Sequence, residues 1–247
     1  MSDVTPATIP EQARRWRPLA SLDRRVVGVL VEKAKTTPEA YPLSVNALRS
    51  GCNQKNNRYP LMEVEIEDVE ESLDRLRGLG AIVEVQGGGR VPRFRHCLYE
   101  WLGVEKVELA VMTELLLRGA QTEGELRGRA ARMEPIADLG ALRPVLVALR
   151  QKGLLVSLSP EGRGHVVTHA LYEPRELEKL RAEHASGAVA QYDRSGDDDA
   201  AGAETPTRSA PPALSSGMQQ ELNALRTEVE TLRTEVAELR RAIESLR

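Results

Sequence analysis

Apolar positions in the first 180 residues recur in two nearly matching patterns. Ile66, Val69, Leu73 and Leu76 are spaced 3-4-3, one face of a helix. A shift of 73 positions puts Leu139, Leu142, Leu146 and Leu149 in their places. Gly80 lands on Gly153, where each helix should stop on a left-handed residue. Alternating strand residues follow, Val83 and Val85 matching Val156 and Leu158. A glycine turn comes next, Gly89-Arg90 matching Gly162-Arg163. A second strand is expected to end in His96-x-Leu98-Tyr99-Glu100, matching His169-x-Leu171-Tyr172-Glu173.

Two more helices are predicted ahead of each copy. Leu22, Val26, Val29 and Leu30 mark the first helix of copy one, and Val45 and Leu48 a short second helix that Ser44 can cap. In copy two the first helix covers roughly 105–118, and Thr122 with Glu125 forms a capping box opening the second. Three helices and a two-stranded wing are the order of a winged-helix domain, and the duplication makes each copy support the other. The expected class is therefore α+β, mainly α, with two tandem winged-helix domains. Pro144 departs from the repeat. Helix three of copy two is either kinked there or starts late, with Pro144 in its first turn.

After Arg181 the composition changes to Ala, Gly, Ser, Pro and Asp, with little to bury, which predicts a disordered linker. The last 30 residues then carry heptads. Leu222, Val229, Val236 and Ile243 take a positions; Met218, Leu225, Leu232, Leu239 and Leu246 take d. Mostly β-branched a with Leu at d favours a parallel two-stranded coiled coil. Glutamates at g (Glu221, Glu228, Glu235) would face arginines at e (Arg226, Arg233, Arg240, Arg247) in a parallel pair. A homodimer is expected, held by Leu222, Leu225, Val229, Leu232, Val236, Leu239, Ile243 and Leu246. The expected domains are a basic segment at 1–20, winged helices at 21–101 and 102–181, linker at 182–217 and coiled coil at 218–247. No basic helix runs into the heptads, so the coil reads as a tether rather than a basic zipper.

Composition narrows the function. Aromatics are only 3% of a chain that is 41% hydrophobic, so the cores must be aliphatic. A net charge of −3 does not announce a nucleic-acid binder. Two lone cysteines, Cys52 and Cys97, make no CxxC pair and fit a reducing compartment. Neither a signal-peptide core nor an apolar run of membrane-spanning length is present, so a cytoplasmic protein with no membrane association is expected.

Candidate chemistry centres on residues 52–58, CNQKNNR. By the repeat they lie between helices two and three of copy one, in a connection about nine residues longer than that of copy two. Asn53, Gln54, Asn56 and Asn57 have amides that can pair with adenine, Arg58 a guanidinium that suits guanine, and Lys55 an ammonium that suits phosphate. Equally, the asparagines can bond their own backbone and hold a long loop in shape. Arg90, Arg93 and Arg95, on the glycine turn and its strand, add to a nucleic-acid reading, as do Arg14, Arg15, Arg17, Arg24 and Arg25. Against it, helix three of copy one should expose Glu65, Glu67, Asp68, Glu70, Glu71 and Asp74, which would repel phosphates. Copy two is milder there, with Arg143, Arg150 and Lys152. His96 and His169 fall on apolar strand faces and read as packing residues, not metal ligands. Acid–base sets, phosphate loops and metal motifs have no match, so no catalytic residue, metal or cofactor is assigned.

Three long strings, TTPEAYPLSVNALRSGCNQKNNRYPLM, RVPRFRH and VELAVMTELLLRGAQTEGELRGRAARM, run across most of residues 22–173. In them the chain resembles the YceH-like family of uncharacterised bacterial proteins. The resemblance implies tandem winged helices and a bacterial origin, but no mechanism. The leading expectation is a non-enzymatic, dimeric, DNA-binding protein, with transcriptional regulation as its candidate role. The competing expectation is a protein-interaction scaffold whose partner docks on the acidic helix at 65–78.

Overall fold

Two helix–helix–helix–hairpin runs follow one another in residues 15–85 and 91–185, the residues that a computed structural model describes. The first comprises α1 (Ser21–Thr36), α2 (Val45–Cys52), α3 (Ile66–Gly78), β1 (Ile82–Val85) and β2 (Arg93–His96), and is closed by a short α4 (Leu98–Leu102). The second comprises α5 (Lys106–Arg118), β3 (Gln121–Thr122), α6 (Glu123–Ala130), α7 (Leu139–Gln151), β4 (Leu155–Ser157) and β5 (Val166–His169), followed by α8 (Pro174–Ala185). The fold is α+β and mainly helical. Both runs fall within one compact unit, Met1–Asp193. Gly87, Gly88, Gly89, Arg90, most of the expected linker and every heptad position lie outside the described residues.

Local chemistry sets the helix ends. Ser44 Oγ accepts from the Ala47 N–H to open α2, and Thr122 and Glu125 exchange the two bonds of a capping box at α6. α3 and α7 end in the same way. The Ala81 N–H bonds the Leu76 carbonyl and the Gly80 N–H that of Arg77; 73 residues later Leu154 bonds Leu149 and Gly153 bonds Arg150. Gly80 and Gly153 sit at φ 72° and 68°, a conformation that disfavours any side chain. α7 starts on the Asp138 cap, so Pro144 lies inside the helix and the late-start alternative falls.

The hairpins share a register, Ile82 opposite His96 and Leu155 opposite His169. Their strand phase differs from the expected one: Ile82 and Leu155 are buried, while Val83, Val85, Val156 and Leu158 are half-buried. The turn after α3 and α7 aims Ala81–Ile82 and Leu154–Leu155 into the core before alternation begins. The second strand of copy one also stops early. Leu98–Leu102 coils into α4, which buries Trp101 and lets its indole N–H reach the Leu79 carbonyl at 3.0 Å. Each hairpin gains a third segment that the sequence did not announce, β3 against β5 and a Leu43–Phe94 bridge in copy one. α8 extends past the expected boundary at 181, since its Leu, Glu, Lys and Ala residues are good helix formers.

α1 and α5 are the spine. Val26, Val27, Val29, Leu30 and Val31 of α1 and Leu109–Leu117 of α5 are buried almost all round, as expected of helices covered on every side. The two helices approach at Gly28, where an added Cβ would stand 2.8 Å from Leu117 Cδ2. A second tie joins α1 to the far end of copy two. Arg24 grips Glu176 through both of its Nη atoms, at 2.9 and 2.5 Å, and lies 4.5 Å over the Tyr172 ring, which stacks on His169. Arg24 and Arg25 are therefore interior residues rather than the surface cations expected of a basic N-terminal segment.

The two matched histidines play one role. His96 Nδ1 faces the Leu98 N–H at 3.4 Å, and His169 Nδ1 the Leu171 N–H at 3.2 Å, so both act as neutral acceptors that turn the chain after the strand. Burial, with Lys35 and Arg95 nearby, lowers the His96 pKa to about 4. Burial and Arg24 hold that of His169 well below the usual range.

This packing can be tested at two positions. Gly28→Val should destabilise the fold by about 1–3 kcal/mol in urea titrations, because Leu117 is fully buried and has nowhere to move. Acidification should also destabilise it. Folded His96 takes its proton only near pH 4, the unfolded chain near 6.5, so the unfolded state binds more protons in that window. The contribution should be complete above pH 6.5 and vanish toward pH 4, a loss that thermal melting of His96→Gln against the parent would register as a flatter profile.

Candidate functional site

The connection between α2 and α3 covers residues 53–65, against 131–138 between α6 and α7. It is thus five residues longer, not nine; the rest of the change in repeat offset falls between the first two helices of each copy. Asn53 fastens both its ends. Its Nδ2 donates to the Val64 carbonyl and its Oδ1 accepts from the Val64 N–H, each at 2.9 Å. Arg25 Nη1 and Nη2 hold the carbonyls of Cys52 and Pro60 at 3.0 and 2.6 Å.

Arg58 is the centre of the loop. It is 5% exposed, and all five of its N–H groups are engaged. Nε donates to the Gly51 carbonyl, Nη1 to the Asn57 carbonyl and Glu32, and Nη2 to Gln54 and, at 2.5 Å, to Glu32. Asn57 stands at φ 60° and accepts from Arg118 of α5, while the Tyr59 N–H reaches the Leu117 carbonyl at 2.9 Å. The loop therefore bonds copy one to copy two. Of the six polar residues Asn53–Arg58, Asn53, Gln54, Asn57 and Arg58 have these internal partners, whereas Lys55 and Asn56 stand exposed at the tip.

A second charged group faces the loop from copy two. The Glu114 carboxylate is 1% exposed, 3.2 Å from Arg118 Nε and 3.6 Å from Arg132 Nη2. Burial raises the Glu114 pKa and lowers that of Arg118. Arg129, also near this pair, bonds Gln121 Oε1 at 2.7 Å. Between the loop tip and Arg132–Met133 lies an open groove of about 600 Å³, its floor formed by Glu32, Lys33 and Thr36 of α1.

The hairpin of copy one carries the other candidates. Arg93 and Arg95 are exposed, and Arg93 Nη1 braces the Pro42 carbonyl at 2.8 Å. Arg95 and Lys35 both act on His96, but Lys35 is largely covered and paired with Glu134 at 2.8 Å, which leaves Arg93 and Arg95 as the exposed cations of the hairpin. α3 does expose Glu65, Glu67, Asp68, Glu70, Glu71 and Asp74. The matching face of α7 presents Leu139, Arg143 and Val147 instead, with Arg150 bound to Glu161 at 2.6 Å.

One constellation had no sequence signal. Glu123 Oε1 lies 2.8 Å from His165 Nδ1, and Ser157 Oγ lies 3.1 Å from His165 Nε2. The chain links α6 to both strands of the second hairpin, and Ser157 also accepts from Arg150 at 2.9 Å. His165 has Pro92 at the corresponding repeat position, so the duplication could not point to it. Among the described residues, no group of histidine, cysteine or carboxylate side chains is arranged to hold a metal ion, and no helix is long and apolar enough to cross a membrane.

A family model described as "Protein of unknown function, DUF480" matches residues 19–163, the span from just before α1 to beyond β4. Relatives share the chain at high identity. The UPF0502 protein RB6530 of Rhodopirellula baltica is 50% identical over 184 residues, covering 73% of this chain and 78% of the relative. A UPF0502 protein of Pelobacter propionicus is 52% identical over 135 residues, 55% of this chain and 62% of its own length. One from Burkholderia lata is 41% identical over 179 residues, 71% of this chain and 76% of the relative.

The Arg58–Glu32 pair gives this geometry a direct test. Arg58→Ala should cost about 3–5 kcal/mol in chemical denaturation, since it strands a buried carboxylate and several carbonyls. Lys55→Ala and Asn56→Ala, exposed at the tip, should stay within about 0.5 kcal/mol of the parent. Equal losses from all three would mean that Arg58 does not anchor the loop.

Proposed function

The chain belongs to the DUF480 family of proteins of unknown function, and from that premise we propose that its two repeats are winged-helix domains that bind double-stranded DNA. The domains span 21–101 and 102–185, and the heptads at 218–247 join two chains in parallel across a disordered linker. The order of elements supports the fold: three helices and a hairpin, twice over, with a third short strand beside the second hairpin and a single bridge beside the first. The observation that carries the binding reading is the pair of exposed guanidinium groups, Arg93 and Arg95, on the second strand of the first hairpin. Lys55 and Asn56 extend the polar surface at the loop tip.

Contacts of this kind are to phosphates, so they give affinity and register more than sequence choice. α3 does not enter the major groove in this reading, because its exposed carboxylates would face the backbone. The coil acts as a tether. A linker of roughly 33 residues spans about 30 Å, too loose to fix a half-site spacing but able to raise avidity. The protein acts in the cytoplasm, as a regulator rather than an enzyme, with no cofactor. A second reading has its own support. Glu67, Glu70, Glu71 and Asp74 form an exposed acidic face that a basic protein segment would fit.

Fluorescence anisotropy of random-sequence duplex DNA separates the two readings. The full chain should bind in low salt and weaken steeply as salt rises. Changing Arg93 and Arg95 to Ala should reduce the log–log salt slope by about 0.9 for each phosphate no longer neutralised. Reversing Glu67, Glu70 and Glu71 to Lys should leave binding intact or tighten it. A chain that fails to bind at low salt, or is unmoved by the double alanine variant, would leave the acidic face as the working surface.

A further inference from the structure

We propose that the groove between the 54–57 loop tip and Arg132–Met133 is a binding site for a small phosphorylated anion that bridges the two repeats. Its volume, about 600 Å³, is in the range of pockets for small organic ligands. Three cations line it: Lys33 from α1, Lys55 from the loop and Arg132 from the connection after α6. Asn56 and Thr36 add neutral hydrogen-bonding groups beside them. The one carboxylate on the lining, Glu32, is locked in two bonds to Arg58 and turns little negative charge toward a ligand.

Charge behind the groove points the same way. Arg25, Arg58, Arg118 and Arg132 stand behind it, with the carboxylates of Glu32 and Glu114 among them. Burial and the neighbouring Arg58 bring the Arg25 pKa down to about 10, and burial with the other guanidinium groups lowers that of Arg118. Arg132 Nε donates to the Arg129 carbonyl at 3.3 Å and Nη2 lies 3.6 Å from Glu114, while the side chain is 44% exposed, so its outer nitrogen can meet an incoming anion. An anion seated there would meet Lys33, Lys55 and Arg132 together.

The chemistry favours phosphate over carboxylate. Two of the three cations are lysines, compact charges that suit a phosphate's tetrahedral oxygens, and the guanidinium adds a two-pronged donor. Three positive charges match a diphosphate. Because Lys55 comes from one repeat and Arg132 from the other, an occupied site would brace the junction and raise stability by mass action. The inference does not rest on DNA binding: it shares Lys55 and Asn56 with that reading, but Arg93 and Arg95, which carry the DNA reading, do not line the groove.

Isothermal titration of the full chain with inorganic pyrophosphate, in parallel with thermal melting, tests it. One saturable site per chain is expected, with a melting temperature that climbs with pyrophosphate. Lys55→Glu, a change at an exposed position, should weaken binding by about tenfold or more, as should Arg132→Gln, while Arg95→Ala should not. Citrate serves as a phosphate-free trianion and should bind at least about tenfold more weakly. The proposal fails if pyrophosphate does not saturate, if Lys55→Glu binds like the parent, or if citrate binds equally well. It also fails if Lys55→Glu weakens duplex DNA while pyrophosphate has no site, for then these cations belong to a DNA footprint.

Discussion

Arg58 holds a permanent positive charge where solvent reaches only 5% of the residue, and much of the described structure answers that constraint. A buried guanidinium must have its charge matched and its five donors filled. Glu32 of α1 meets the charge; Gly51, Gln54 and Asn57 fill the remaining donors, which bends residues 51–58 around a single group. That bend brings Asn57 to Arg118 and Tyr59 to the Leu117 carbonyl, both on α5. A loop inserted in one repeat thereby becomes a fastening between the two, and the Arg24–Glu176–Tyr172 cluster supplies another.

Duplication preserved the interior and released the surface. α3 and α7 keep Val69, Leu73 and Leu76 against Leu142, Leu146 and Leu149, all buried, and the same pair of turn bonds after each helix. Their outer faces share little. Glu70 and Asp74 of α3 correspond to Arg143 and Val147 of α7, so positions with equal packing duties present opposite chemistry to solvent. The repeat as such therefore fixes packing and leaves surface chemistry to positions where the copies differ. The longest of these is the 53–65 connection.

Features set by local rules were legible in the sequence. Helix three of each copy, its glycine stop, the Ser44 cap and the Thr122–Glu125 box depend on neighbours a few residues away, and they appear where the pattern put them. What depended on distant partners was not legible. Nothing in LYEWL distinguishes a continuing strand from α4 until Trp101 is seen to bury against the Leu79 carbonyl. Asn, Gln, Lys and Arg in CNQKNNR have one composition whether they face solvent or the interior. Only the acidic Glu32, 26 positions earlier, decides that Arg58 turns inward. The same holds for Arg24 and Arg25, which read as surface charge until their partners in copy two and the loop are known. Lys55, Asn56, Arg93 and Arg95 stay on the surface because no buried carboxylate draws them inward.

The contact at Gly28 has a consequence for how the molecule comes apart. Helices α1 and α5 belong to different repeats, yet each completes the other's interior, with Leu117 seated where a larger residue on α1 would stand. Removing one repeat would leave the other with a stripe of Val and Leu facing water. The two are thus one cooperative folding unit: their amides should open to hydrogen exchange together, and an early mutation in α1 would be felt in the hairpin that ends at His169. A seam of this kind makes the pair inherit change jointly, although the sequence was copied as two.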